Sequence, residues 1–161
     1  GPEVAEEEQI PNQDLAQIGC DFLQQMLDCM GIEGTAEIAA CTEDEVRLNA
    51  SGENMGLLIG RHGATLDAIQ LMIATAANRQ VGEGARVIVD AEDYRERHRQ
   101  MLMAKARRHA DEAKRSGQEV VVPHLKAYER RVMHMALKDD TGVATYSEGE
   151  GDERVFVISP R

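Results

Sequence analysis

The sequence is poor in aromatic residues and in cysteine. It has three Tyr, two Phe and no Trp in 161 residues, so it offers few rings on which nucleobases could stack. Its three cysteines, Cys20, Cys29 and Cys41, contain no CxxC pair, the spacing typical of zinc sites and thiol redox motifs. We therefore expect reduced, buried thiols in a cytoplasmic protein without metal or other cofactor.

Long apolar segments are also missing. No apolar run approaches the roughly 20 residues that a helix needs to cross a bilayer. The acidic N-terminus lacks the basic and apolar parts of a signal peptide, and Gly1 and Pro2 are typical of the remnant of a cleaved expression tag. We expect an acidic tail over residues 1–11, a cytoplasmic location and no membrane insertion.

Motifs of catalytic sites are absent as well. The sequence has no GxxxxGK[ST] phosphate loop, no HExxH zinc motif and no GxSxG nucleophile elbow. His98 and His109 share one face of a predicted helix, but they would lie roughly 16 Å apart, too far to bind the same metal ion. The sequence predicts a binding protein and not an enzyme.

Basic residues are outnumbered, but unevenly along the chain. Residues 1–50 hold 12 acidic residues and one basic residue, whereas residues 51–161 hold 17 of each sign. Residues 94–131 contain 11 Lys and Arg against 5 Asp and Glu. Because charges are screened beyond about 8 Å at physiological salt, a phosphate responds mainly to this local excess. We expect weak, salt-sensitive and sequence-tolerant binding of nucleic acid.

Apolar periodicity and turn residues divide the chain into two α+β modules joined by a basic helix. Residues 12–91 predict the order α-β-β-α-α-β, and residues 94–161 predict α-β-α-β-β. Asn12 is the predicted N-cap of the first helix. The second helix of the C-terminal module is predicted over residues 124–138. The apolar stripe predicted for the first helix consists of Leu15, Ile18, Phe22, Met26 and Met30.

The first candidate site is the GRHG segment, Gly60–Gly63, between two helices of the first module. Its glycines allow a tight turn and let a phosphate approach without meeting a Cβ atom. Exposed N–H groups at the start of the next helix attract anions, and Arg61 and His62 add donors. Ile59 and Leu66 are predicted to floor a groove for about four nucleotides. A plain connector with a solvated Arg-His pair is the alternative.

The second candidate site lies in the predicted helix of residues 124–138. Arg130 and His134 are four residues apart and therefore share one face of the helix. Lys126 and Lys138 extend this row at the same spacing, and Arg131 lies beside it. An ordinary solvated helix face is the alternative interpretation. The buried stripe is predicted on the opposite face and consists of Leu125, Tyr128, Val132 and Ala136, with Leu137 departing from the pattern.

Two stretches carry a family resemblance. GLLIGRHGATLDAIQLM resembles the KH segment of the Jag (SpoIIIJ-associated, KhpB) family, whose KH domain is of the prokaryotic, type II order. PHLKAYERRVMHMAL and SEGEGDERVFVISP are similar to the domain that follows KH in that family and is named for its Arg-x-x-x-His motif, here Arg130 and His134. The Arg-His centre of the loop departs from the more usual Lys-Arg or Arg-Lys. Many relatives carry a further N-terminal domain that this sequence does not contain.

The resemblance implies a non-catalytic binder of single-stranded RNA, a post-transcriptional regulator or RNA chaperone linked to cell shape and division. RNA contacts are expected at Gly60–Gly63 in one module and at Lys126, Arg130, Arg131 and His134 in the other. The resemblance also implies a small KH-only protein partner. Two alternatives stay open: a KH-mediated adaptor or homodimer, which the methionine-rich helices favour, and binding of single-stranded DNA, since no residue visibly senses a 2′-hydroxyl.

Overall fold

The computed structural model describes residues 1–3, 9–82 and 84–161. Residues 4–8 of the predicted acidic tail lie outside the described residues, as does Glu83. The chain divides into two compact units, Gly1–Arg95 and Glu96–Arg161. The predicted α+β fold and the order of elements in both parts are confirmed.

The N-terminal unit is a three-stranded sheet with helices packed against it. Its elements are α1 (Gln13–Cys29), β1 (Thr35–Cys41), β2 (Glu45–Ser51), α2 (Met55–Ile59), a 3₁₀ turn (Arg61–Gly63), α3 (Ala64–Val81) and β3 (Arg86–Ala91). The central strand β2 pairs antiparallel with β1 and parallel with β3. Alternate residues of β2, Val46, Leu48 and Ala50, are buried, as the period of two in a strand requires. This face of the sheet meets α1 and α3 in one apolar core.

The buried face of α1 differs from the predicted stripe. Phe22 and Met26 are only half-buried and Met30 is exposed. Gly19 lets the helix approach β2 closely, because a Cβ atom there would lie 2.9 Å from Leu48 Cδ1. The residues that do face the core are Leu15, Ala16, Gly19, Leu23 and Leu27. The prediction followed the larger side chains and missed the row that contains glycine.

Two other local predictions hold only in part. Asn12 is the N-cap residue of α1, and its backbone carbonyl accepts from the Ala16 N–H, but its side chain forms no capping hydrogen bond and its amide donates to the backbone carbonyls of Thr42 and Glu43. Cys29 is exposed, whereas Cys20 and Cys41 are half-buried, and burial raises the pKa of both of those thiols.

The C-terminal unit packs two helices against a second three-stranded sheet. Its elements are α4 (Tyr94–Ser116), β4 (Val120–Val122), α5 (Ala127–Leu137), β5 (Val143–Glu148), a 3₁₀ turn (Gly151–Glu153) and β6 (Val155–Pro160). The boundary between the units falls in the first turn of α4. β6 is the central strand and pairs antiparallel with β4 and β5.

The buried face of α5 adjoins the Arg130 row instead of lying opposite it. Tyr128, predicted to be buried, is 42% exposed, and Leu137, which departed from the predicted stripe, is a core residue. The fully buried positions of α5 are Glu129, Met133 and Leu137. Arg130 therefore lies at the edge of the core and is half-buried.

The helix α5 begins three residues later than predicted. His124 has a positive φ of 63° and lies outside the helix. Lys126 is extended, with φ −70° and ψ 160°, and its backbone N–H donates to Glu129 Oε1 at 2.8 Å. This bond caps the helix as a Glu at the third position does in a capping box. In the part of the chain that the structure describes, no helix is both long and apolar enough to cross a membrane.

Candidate nucleic-acid interface

The GRHG segment forms a tight turn between α2 and α3. Gly60 has φ 73° and ψ −173°, a backbone conformation that is essentially restricted to glycine. Gly63 and His62 are both left-handed, with φ values of 77° and 53°. The Gly60 N–H closes α2 by donating to Gly56 O at 2.9 Å. The turn thus depends on its first glycine for its shape.

Packing also excludes side chains from both glycine positions. A Cβ atom on Gly60 would overlap the side chain of Thr65, and one on Gly63 would lie 2.8 Å from Cε1 of Tyr94. Gly63 is buried, whereas Arg61 and His62 are exposed. The turn therefore presents two basic side chains outward from a closely packed base, directly before the positive end of α3.

The apolar residues predicted to floor a groove beside this turn behave differently from each other. Ile59 is half-buried, but Leu66 is 0% exposed and belongs to the core. Leu66 has no surface to offer a ligand, so its predicted contact role is corrected to support of the turn from within. The exposed apolar side chain of α2 is Leu57, at 64%. The sequence interpretation missed it, although a five-residue helix cannot turn three consecutive apolar residues inward.

A second site is a groove between α5 and the β5–β6 hairpin, with a volume of about 410 Å³. We call it the α5–hairpin groove. The helix contributes Arg130, Arg131 and His134. The hairpin contributes Thr145, Tyr146, Ser147, Arg154 and Phe156. Three of the four predicted basic residues are therefore brought together on one surface.

Neutral partners orient two arginines and one histidine of this groove. Arg130 Nη1 donates to Leu125 O at 2.7 Å, and Arg154 Nη1 donates to Gly149 O at 2.8 Å. His134 Nδ1 shares a hydrogen bond with the hydroxyl of Thr145. Within the described residues, none of these side chains forms an ion pair, and Arg131 forms neither an ion pair nor a hydrogen bond. The positive charge of the groove is held in place without being neutralised.

Three basic residues of α4 form ion pairs, unlike the arginines of the α5–hairpin groove. Arg99 pairs with Glu96 at 2.8 Å, and Lys114 pairs with Asp140 at 2.8 Å. Arg95 pairs with Asp67 at 2.7 Å and also donates to Val89 O. Three of the eight Lys and Arg residues of α4 are thus paired with carboxylates. The α5–hairpin groove has the uncompensated charge that a phosphate requires.

Lys126 lies apart from this groove. It borders a neighbouring depression that also contains His124, Arg130 and Asp152. Its ammonium group lies 6.0 Å from the centre of the Tyr128 ring. The helical spacing from Lys126 to Arg130 therefore does not bring Lys126 beside His134, because Lys126 precedes the helix.

The hairpin residues of the groove were missed by the sequence interpretation. Tyr146 is 42% exposed, and its hydroxyl donates to Glu119 Oε1 at 3.0 Å. This hydrogen bond to a carboxylate raises the pKa of Tyr146. Arg154 follows the turn that joins the two strands and lines the groove. The Tyr146 ring lies on the other face of the sheet, because its neighbour Thr145 faces His134 and successive strand residues alternate. Alternation along the hairpin was the available signal, but it does not reveal which helix the hairpin meets.

A buried polar pair supports α5 from below. His98 and Glu129 are 6% and 3% exposed, and His98 Nε2 lies 2.9 Å from Glu129 Oε2. The other carboxylate oxygen of Glu129 accepts the Lys126 N–H. One side chain thus links α4 to the first turn of α5, next to Arg130. Among the residues that the structure describes, no group of three His, Cys, Asp or Glu side chains is arranged to bind a metal ion.

Comparison with known proteins covers both units. The KhpA/KhpB KH domain family matches residues 20–90, and the domain family named for the Arg-x-x-x-His motif matches residues 100–160. RNA-binding protein KhpB of Clostridium symbiosum is 36% identical over 140 residues, covering 86% of this chain and 63% of that protein. The protein of the same name from Bacillus subtilis is 35% identical over 116 residues, covering 71% and 56%. That from Lactiplantibacillus plantarum is 29% identical over 153 residues, covering 95% and 47%. The chain spans about half to two-thirds of the length of these relatives.

Proposed function

The chain belongs to the KhpB family, and on that premise we propose that it is a non-catalytic protein that binds single-stranded RNA. The observation that carries the proposal is the α5–hairpin groove, whose basic side chains are oriented by carbonyl and hydroxyl oxygens and not by carboxylates. The name that its relatives share, RNA-binding protein KhpB, supports RNA as the ligand. We take residues 12–91 as the KH domain and residues 94–161 as the Arg-x-x-x-His domain.

Each unit contributes one phosphate-binding surface in this proposal. In the KH domain, the turn Gly60–Gly63 lets the RNA backbone approach closely, and Arg61 and His62 donate to phosphate oxygens. In the Arg-x-x-x-His domain, Arg130, Arg131 and His134 line one side of the groove. Phosphate contacts carry little sequence information, so affinity depends on the backbone more than on base identity.

Replacing Arg131 with alanine tests the groove with little risk to the fold, since this side chain is exposed. We expect weaker RNA binding and a smaller salt dependence. For single-stranded nucleic acid, the slope of log K against log salt should fall by about 0.7 when one phosphate contact is lost. Fluorescence anisotropy with a labelled RNA oligomer at several salt concentrations measures both quantities.

Arg99→Ala is the matched control for Arg131→Ala. It removes the same charge from an exposed position, but Arg99 is already paired with Glu96. We expect the salt slope of this variant to equal that of the unchanged protein. Equal losses in both variants would contradict a defined groove and would indicate diffuse attraction by the whole surface.

Replacing both Arg61 and His62 with aspartate tests the KH turn. Aspartate tolerates the left-handed backbone of position 62, so the turn should keep its shape. We expect RNA binding to weaken by about tenfold or more, because like charges are then placed against phosphates. Light scattering should show an unchanged oligomeric state. Unchanged RNA binding together with altered assembly would support an adaptor function instead.

One observation favours that adaptor as a second candidate function. An apolar groove of about 230 Å³ lies between α1 and α3 and is bordered by Phe22, Met26, Met72 and Ala76. Met72 is 50% exposed. A small KH-only protein or a second copy of this chain is the proposed occupant. Single-stranded DNA remains an alternative ligand, and competition of labelled RNA with matched DNA distinguishes the two.

The biological role that the family resemblance implies is post-transcriptional regulation or RNA chaperone activity in the cytoplasm, linked to cell shape and division. It belongs to the same proposal, because the chain covers only part of the length of its relatives.

A further inference from the structure

The second sheet has one face that is turned away from α4 and α5. Successive strand residues alternate between the two faces, and Phe156 and Ile158 of β6 belong to the core beneath the helices. Val157 therefore lies on the other face, where the register places it between Val121 of β4 and Tyr146 of β5. We call this surface the outer sheet face. Its apolar residues are Val121, Tyr146, Val155 and Val157.

We propose that the outer sheet face binds a short basic amphipathic helix of a partner protein, so that the C-terminal unit holds RNA on one side of its sheet and protein on the other. Val121 is 53% exposed and Tyr146 is 42% exposed, and Val155 beside them is half-buried. Neighbouring apolar side chains that share one exposed face form a patch, and such patches mark interaction surfaces.

The patch is held in a fixed shape. The Tyr146 hydroxyl donates to Glu119 Oε1 at 3.0 Å, and Glu119 directly precedes β4. Because β6 lies between β4 and β5, the Tyr146 side chain crosses β6 to form this bond, and Val157 on β6 is only 1% exposed. A preorganised surface loses little conformational entropy when a ligand packs against it.

Carboxylates flank the apolar patch and determine which partner fits. Glu148 is two residues from Tyr146 on β5 and so shares its face. The hydrogen bond to Glu119 raises the pKa of Tyr146, and the negative charges of Glu119 and Glu148 raise it further. A phosphate is repelled from this face, whereas an apolar stripe flanked by Lys and Arg is complementary to it. Nucleic-acid-binding proteins often carry Lys and Arg along one helix, so a second RNA-binding protein is a source of such a partner.

The size of the outer sheet face favours a short segment over a second folded copy of this chain. β4 has three residues, and β5 and β6 have six each. Three strands of this length form a face roughly 10 Å wide and 20 Å long, or on the order of 200 Å². Stable interfaces between folded proteins bury about 800 Å² on each partner. One helix is about 10 Å across and covers this face, so we expect a weak and transient complex.

The test titrates the full chain with a labelled synthetic helix of about five turns, with leucines on one face and lysines on the other. A second peptide carries glutamate in place of lysine. We expect the lysine peptide to bind and the glutamate peptide not to bind. Val121→Lys should weaken binding of the lysine peptide at least about tenfold, because it places a like charge in the apolar contact. Fluorescence anisotropy measures the affinity, and NMR shift changes locate the peptide.

Leu71→Lys is the matched control for Val121→Lys. Leu71 is 69% exposed but lies on α3 in the N-terminal unit, so the same change in charge should leave peptide binding unaltered. Thermal melting of each variant verifies that it is folded. RNA affinity should stay within about twofold in Val121→Lys, because the new charge lies on the side of the sheet away from the α5–hairpin groove and is screened by salt.

Replacing both Glu119 and Glu148 with glutamine tests the charge complementarity. Two exposed ion pairs account for about a 2- to 30-fold difference in affinity, so binding of the lysine peptide should weaken by that factor. Replacing Glu33 and Glu43 with glutamine removes the same charge from exposed positions of the N-terminal unit and should have no such effect.

Several results would overturn the docking proposal. These are failure of the lysine peptide to bind, equal binding of both peptides, and equal losses in Val121→Lys and Leu71→Lys. Shift changes on the outer sheet face that appear with rising protein concentration alone would make a second copy the occupant, and those that appear with RNA would make RNA the occupant. The proposed function is tested separately by Arg131→Ala, so failure of the peptide to bind leaves it standing.

Discussion

Replacing Glu129 with alanine is expected to lower the free energy of unfolding of the C-terminal unit by about 2–3 kcal/mol, because a buried hydrogen-bonding group is then left unsatisfied. Both Glu129 and His98 are almost completely buried, so water cannot replace the lost partner of His98. The variant also loses the acceptor for the Lys126 N–H, which leaves the first turn of α5 uncapped. Urea unfolding, combined with hydrogen exchange at the amides of α4 and α5, measures the loss.

Glu129→Gln provides the comparison for this variant. Its side-chain carbonyl still accepts from Lys126, and an amide can still hydrogen-bond to His98 with a suitable histidine tautomer. We expect a loss of about 1 kcal/mol, typical of exchanging one hydrogen bond for a weaker one. A loss below about 1 kcal/mol in Glu129→Ala would mean that the pair contributes nothing beyond packing.

Replacing Gly60 with alanine is expected to destabilise the N-terminal unit by about 2–3 kcal/mol, since its backbone conformation costs a non-glycine residue about that much. Steric overlap adds to this cost: the new Cβ would lie 2.7 Å from Thr65 Cβ and 3.0 Å from the Thr65 backbone nitrogen. The backbone there cannot move without disturbing the start of α3. Unfolding in urea with detection by circular dichroism measures the change, and RNA affinity should fall with it.

Gly56→Ala is the control within the same short segment. Gly56 lies inside α2, and a Cβ added there meets nothing within 4 Å. Because alanine favours a helix over glycine, we expect this variant to be as stable as the unchanged protein or more stable by up to about 1 kcal/mol. Equal destabilisation of both variants would show that α2 tolerates no substitution, and the specific role of Gly60 would have to be abandoned.

The order of elements could be predicted because local chemistry determines it. Alternation in Val46, Leu48 and Ala50 predicts a strand, and Gly117 ends α4 where its periodicity stops. Element boundaries depend on less regular chemistry. The start of α5 is fixed by Glu129, which caps the helix from its third position. The N-cap residue itself is Lys126 and not the usual serine or threonine. The helix was predicted to begin at residue 124 because no serine or threonine marks its true start.

The candidate site was predictable only within one element. Arg130 and His134 were expected on one face because helical spacing requires it, and both line the groove. The same rule failed for Lys126, because it applies only to residues inside the helix. Thr145 and Arg154 come from the β5–β6 hairpin farther along the chain, and no local pattern indicates which helix they will face.

The buried pair had a signal that the sequence interpretation did not use. His98 begins a row on α4 that continues at four-residue spacing through Leu102, Ala106 and Ala110. Glu129 begins the equivalent row on α5 that continues through Met133 and Leu137. A polar residue at the start of an apolar row is usually interpreted as a surface residue. Two such residues of complementary chemistry on neighbouring helices instead predict a buried hydrogen-bonded pair.

The neutral acceptors around Arg130, His134 and Arg154 have a consequence for how the free protein responds to its ionic surroundings. Arg130, Arg131 and Arg154 share one groove without an ion pair among the described residues, so they repel one another until a ligand arrives. Dissolved ions weaken that repulsion and, by the same screening, weaken the attraction for phosphate. Rising ionic strength should therefore stabilise the unliganded Arg-x-x-x-His domain and lower its affinity for RNA. The same change in salt thus favours the empty groove and disfavours the bound state.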